Sequence, residues 1–231
     1  MLGPFTSEDI EALVLSLRIS LVAIACALPI AIIAAVVLVR FRFPGKTLID
    51  GVIHLPLALP PVVVGYLLLI GFGTRGPIGH WLLSNFGIRF IFSWTGAALA
   101  AAIITFPFQV RAIRLALEAV DRGLHEAAET LRAGALDRFV SITLPLALPG
   151  VIAGAITAFA ASLGEFGAII TFVSNIPGQT RTLPLAIYTA IQEPGGEADA
   201  ARLALLSIAL AFIGLTLSEL AARHVRKVTG Q

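Results

Sequence analysis

Long stretches of this chain carry no Asp, Glu, Lys or Arg, and that limits what it can fold into. Residues 19–39, 51–72, 90–110 and 139–164 are such runs, and 203–218 is a shorter one that Leu220, Ala221 and Ala222 extend past Glu219. A helix needs about 20 apolar residues to cross a hydrocarbon core of about 30 Å. The runs therefore predict an all-α, polytopic membrane protein with about five transmembrane helices in a single transmembrane domain over 1–231. The spans fall near 10–39, 51–72, 91–111, 139–164 and 201–222. Two further uncharged stretches, 166–180 and 182–192, are too short to cross and predict a re-entrant or extracytoplasmic segment.

Composition excludes a water-soluble globule and several classes of site. The chain is 58% hydrophobic and 13% charged, with mean hydropathy +0.94, against about 25% charged for a soluble domain. Its one cysteine, Cys26, excludes an internal disulfide framework. Four scattered histidines and no HExxH leave no metal site, and no catalytic residue is expected. A net charge of +2 is no nucleic-acid footprint. Gly71-Phe72-Gly73-Thr74-Arg75-Gly76 spells a dinucleotide fingerprint, but it follows an apolar helix rather than a strand. Gly45-Lys46-Thr47 lacks the first glycine of a phosphate-binding loop, since Arg40 stands there. No cofactor is expected, and any chemical energy must come from a partner.

Eleven of the sixteen basic residues fall after span 1, between spans 3 and 4, or at the C-terminus. Basic residues favour the cytoplasmic side, so the N-terminus is expected outside and the C-terminus in the cytoplasm. Pro56, Pro60 and Pro61 crowd the second span and should free carbonyls there. Gly150, Gly154, Ala158 and Ser162 recur every fourth residue in span 4, a stripe for close helix contact.

The loop at 113–145 is the most informative segment. Residues 111–132 read as one amphipathic helix with Leu124, Ala127, Ala128 and Leu131 on a single shallow face. Gly134 reads as its stop, and a short helix over 135–142 leads to Leu144-Pro145. This coupling helix-turn-helix resembles the EAA loop of ABC importer permeases. The pattern in that family is Glu-Ala-Ala, three residues, Gly, nine residues, then Ile-x-Leu-Pro. Glu126-Ala127-Ala128 and Ile142-x-Leu144-Pro145 keep the spacing, while Arg132 replaces the glycine. Residues 54–66, 110–121, 162–168, 171–184 and 192–197 are similar to molybdate permeases in particular. Sulfate and tungstate permeases are close relatives of these.

The resemblance implies a translocating subunit of the bacterial inner membrane that imports molybdate, possibly tungstate, and is not itself an enzyme. It implies a homodimer in the lipid bilayer, two cytoplasmic ATPase subunits and an extracytoplasmic molybdate-binding protein. Leu124, Glu126, Ala127, Ala128, Leu131, Arg132, Gly134, Ile142, Leu144 and Pro145 would couple to the ATPase. A dianion is best met by helix N-terminal amides and small polar groups. Ser162, Gly164, Glu165, Gly167, Thr171, Ser174, Asn175, Thr180 and Arg181 are the pathway candidates. A sulfate or other oxyanion permease is the near alternative, and a non-transporting membrane scaffold is the distant one.

Overall fold

The computed structural model describes the backbone of residues 5–229 and the side chains of these residues except 122, 125, 215 and 217–229. Eleven α-helices and no strand occur among the described residues. Helix α1 (Ser7–Arg40) begins on a capping box: the Thr6 hydroxyl accepts from the Asp9 amide at 3.3 Å, and the Asp9 carboxylate accepts from the Thr6 amide at 2.9 Å. Helix α5 (Trp94–Glu118) begins on Ser93, whose hydroxyl accepts from the Gly96 amide. Helix α8 (Leu144–Leu163) continues the segment that opens with α7 (Ala135–Arg138).

Helix α5 is the central post. Its Ala97, Ala98, Ala100 and Ala101 are buried with Ile19 and Ala23 of α1 in one apolar cluster. Val110 and Ile113 join Ala31, Ala35 and Leu38 of α1 and Val151 of α8 in another. The small-residue stripe of α8 lies against α5 within the same chain. A Cβ on Gly150 would stand 2.2 Å from the Ala116 Cβ, and one on Gly154 3.0 Å from the Ala112 Cβ.

The expected second span is two helices, α2 (Lys46–Ala58) and α3 (Pro61–Phe72), meeting at 116°. The break falls at Leu59-Pro60. Proline lacks an amide and disfavours helix in the residue before it, and Pro60-Pro61 does both in succession. Pro56, by contrast, stays inside α2, as Pro29 and Pro107 do in α1 and α5. The two halves touch separate parts of the α5 segment. Asp50 is paired with Arg114 at 2.9 Å near one end, and Phe72 packs edge-on against Phe90 ahead of the other. The 71–76 glycines form the turn into α4 (Pro77–Phe86).

Helices α9 (Gly167–Val173) and α10 (Leu183–Gln192) stay near one end of the bundle. The Ser162 hydroxyl donates to Ser20, the Leu183 amide to Ser16, and Arg181 approaches Glu8. All three contacts with α1 fall in its first half. The expected span 201–222 lies in α11 (Glu197–Thr229), a continuous helix whose side chains are in part outside the described residues, as are those of Arg223, Arg226 and Lys227.

A buried ion pair joins the starts of the first and last helices. Arg202 donates to Asp9 at 2.8 Å and to Asp199 at 2.9 Å. Burial pushes the Asp9 carboxyl up, but the Thr6 amide and hydroxyl and the Arg202 guanidinium outweigh it, so Asp9 titrates below the ordinary carboxylate range. A carboxyl with a depressed folded-state pKa stabilises the fold above its unfolded pKa and ceases to as pH falls through the folded value. Asp9→Asn should therefore cost about 1–3 kcal/mol at neutral pH. The difference from wild type should persist down to about pH 4 and shrink below it, as measured by thermal unfolding across pH.

Candidate functional site

The loop between α5 and α8 is built in pieces. The single helix expected over 111–132 is broken: α5 ends at Glu118, and α6 (Arg122–Thr130) begins after Asp121, whose carboxylate accepts from the Gly123 amide at 2.8 Å. An Asp with its side chain free to cap an amide favours a new helix start over continuation of the old one. The end of α6 also differs from expectation. Arg132, not Gly134, turns the chain, with φ 59 in the left-handed region. The Arg132 amide bonds the Glu129 carbonyl at 2.9 Å and the Ala133 amide bonds the Ala128 carbonyl at 3.0 Å, the paired bonds of a Schellman close. Gly134 instead precedes α7 in extended conformation. Arg132 thus occupies the position where the resemblance expects glycine, in a conformation that favours glycine.

Helix α7 passes into α8 through a π-helical turn, Phe139–Thr143, in which the Leu144 amide bonds the Phe139 carbonyl. Pro145 accounts for it: a proline cannot close an α-helical bond, and its ring crowds the carbonyl four residues back. Arg138 is salt-bridged to Glu129, clasping α7 to α6.

The four residues of the expected stripe divide. Ala128 turns inward and is 9% exposed, whereas Leu124 and Leu131 are 45% and 82% exposed and Ala127 is exposed beside them. Leu136 on α7, 76% exposed, joins this outward apolar set. A four-residue helix shows no periodicity, so spacing along the chain carries no signal for it. Glu126, Gly134 and Pro145 are exposed, and Ile142 and Leu144 are half-buried on the way into α8.

The pathway candidates have internal partners. Glu165 is buried, and its carboxylate accepts from the Ala168 amide at 2.8 Å, at the start of α9. The amides expected to face an anion at the Gly164–Gly167 break are thus met in part by the chain's own carboxylate. Ser162 is bonded to Ser20, and Thr171 to the Gly167 carbonyl. Thr180 is fully buried, donating to the Ser174 carbonyl and accepting from the Ile176 amide, so it closes the 174–180 loop. Asn175 donates to Thr189 and accepts from Arg181. Ser174 holds φ 67 at the head of that loop. His54 lies 2.9 Å from the Asp50 carbonyl, and Gln109 is buried against Gly154 with neither end of its amide bonded among the described residues.

The helices and their connections define an all-α polytopic membrane protein with the fold of ABC importer permeases. A bacterial alginate ABC transporter chain superposes with TM-score 0.78 over 96% of this chain and 81% of that one at 17% identity. The methionine ABC transporter superposes with TM-score 0.68 over 94% of both chains at 16% identity. The family model for the binding-protein-dependent transport system inner membrane component matches residues 27–229, and the chain belongs to that family. It is 60% identical over 226 residues to the molybdenum transport system permease protein ModB of Escherichia coli K12, covering 98% of this chain and 99% of that one. The Haemophilus influenzae ModB is 54% identical, covering 96% and 97%. The sulfate transport system permease protein CysT of Escherichia coli K12 is 38% identical, covering 86% and 72%.

Because a side chain in the left-handed region costs roughly 1 kcal/mol relative to glycine, Arg132→Gly should leave the turn intact and slightly more stable. Arg132→Val, β-branched, should open it. Limited proteolysis of the 119–134 segment should be slowed by the first substitution and accelerated by the second.

Proposed function

We propose that this chain is the permease subunit of an ATP-driven importer that carries molybdate across the bacterial inner membrane. The near-full-length 60% identity to a molybdenum permease carries the reading. The lower identity and coverage with the sulfate permease favour molybdate over sulfate. Two copies of the chain enclose the anion path, two cytoplasmic ATPase subunits supply the work, and an extracytoplasmic binding protein delivers the anion. The chain itself makes and breaks no covalent bond.

This reading keeps five crossings. Helix α1, the α2–α3 pair, α5, α8 and α11 each cross, while α9 and α10 dip in and return on the side of Asp9. The N-terminus then lies outside and the α6–α7 loop lies with Arg40, Arg42 and Lys46 in the cytoplasm, in keeping with the basic-residue bias. On a Cys26→Ala background, single cysteines at Ser7 and Asn85 should react with an impermeant thiol reagent added outside, and one at Thr229 should not. The reverse pattern would invert the orientation.

Coupling in this reading runs through Leu124, Ala127, Leu131 and Leu136, the outward apolar set on α6 and α7. A small apolar helix face suits a cleft in a partner, and a charge buried there without a counter-ion costs about 3–5 kcal/mol. Ala127→Arg and Leu131→Arg should leave the permease inserted but release the ATPase, and ATP-driven molybdate uptake in reconstituted vesicles should fall at least about a hundredfold. Sulfate competing as well as molybdate in wild-type vesicles would instead favour the sulfate reading. Normal uptake by both variants with the ATPase attached would remove α6 and α7 from the coupling route.

A further inference from the structure

At the end of the bundle opposite Asp9, a cavity of about 590 Å³ opens between the ends of α1 and α5 and the α7 turn. Val36, Val39 and Leu117 form an apolar wall, and Arg40, Lys46 and Arg138 bring three positive charges to the same space. The two carboxylates that also line it are engaged. Glu129 is paired with Arg138, and Glu118 accepts from Arg114 at 2.8 Å. Arg40 donates to the Thr143 hydroxyl at 3.1 Å and lies 5.1 Å from the Phe139 ring centroid, so both these partners are neutral. Neither Arg40 nor Lys46 has a carboxylate partner among the described residues. Two uncompensated cations thus stand beside an apolar wall where a long apolar helix ends.

We infer that this cavity holds the phosphate headgroup of an anionic phospholipid, with its acyl chains laid along Val36 and Val39. A phosphodiester places one negative charge between two cations, and basic pockets between membrane helices recognise headgroups in this way. A free tetrahedral anion would use the same cations but gain nothing from the apolar wall. The inference rests on the membrane reading above only in setting this end of α1 at headgroup depth.

Native mass spectrometry of the detergent-purified transporter complex, stripped of lipid and titrated with phosphatidylglycerol or phosphatidylcholine of the same chain length, tests it. Wild type should bind phosphatidylglycerol in preference. Lys46→Gln, which removes a side chain with no ion pair among the described residues, should weaken that binding about fivefold or more, and Arg40→Gln with Lys46→Gln further still. Arg42→Gln, which removes an equal charge close by in the chain but outside the cavity lining, should bind as wild type does. Equal lipid binding by Lys46→Gln and wild type would overturn the inference. So would displacement of the lipid by inorganic phosphate with no preference between the two lipids, which would mark a free-anion site. Loss of the ATPase from Lys46→Gln with lipid binding unchanged would assign the cavity to that partner and overturn it too. The readout needs no transport, so absent molybdate uptake would defeat the proposed function and leave this result standing.

Discussion

The close approach of α5 to α1 and α8 is the contact on which the rest of the structure depends. In lipid there is little hydrophobic gain in bringing one apolar helix against another, and what remains is dispersion between backbones that can come near. Alanines supply that approach along α5 over 97–101, and glycines supply it from α8. With Gly150 against Ala116 and Gly154 against Ala112, the two backbones meet where a methyl group would clash or crowd. Helices α3 and α9 repeat the device. A Cβ on Gly65 would come within 2.6 Å of the Ala168 carbonyl oxygen, so α9 is seated against α3 by its backbone. The positions of the connecting segments follow from these two seams.

The polar residues inside this frame act as braces. Serines join α1 to α8 and to the start of α10, Thr180 closes its own loop, and Asp9 and Arg202 tie α1 to α11. Each such group had to find a partner, because a buried polar atom without one is costly. The hydroxyls and carboxylate near the α8–α9 break are therefore already engaged within the chain.

Much of this is legible in the sequence because membrane helices obey a length rule. The uncharged runs locate α1, α5 and α8, and the fourfold spacing of small residues locates the face of α8 that meets α5. What stays hidden depends on geometry that sequence spacing does not carry. Pro56 and Pro60 look alike in the chain, yet one rides inside a helix and the other breaks it, since only Pro60 is followed by a second proline. The pairing of Asp9 with Arg202 spans 193 positions and leaves no local trace. The amphipathic stripe over 124–131 marks a helix, but its inward member, Ala128, cannot be told from Ala127 without the loop's own packing. Arg132 conceals its left-handed backbone because its residue type is an ordinary helix former.

The two ends of the α6–α7 hairpin are joined to the bundle in different ways. Toward α5 the chain leaves the helix for three residues, Ala119 to Asp121. Toward α8 the backbone stays helical throughout, the π turn at Phe139–Thr143 absorbing Pro145 without a gap. In mechanical terms the hairpin hangs from α5 by a three-residue link and is continuous with α8, a strap at one end and a shaft at the other.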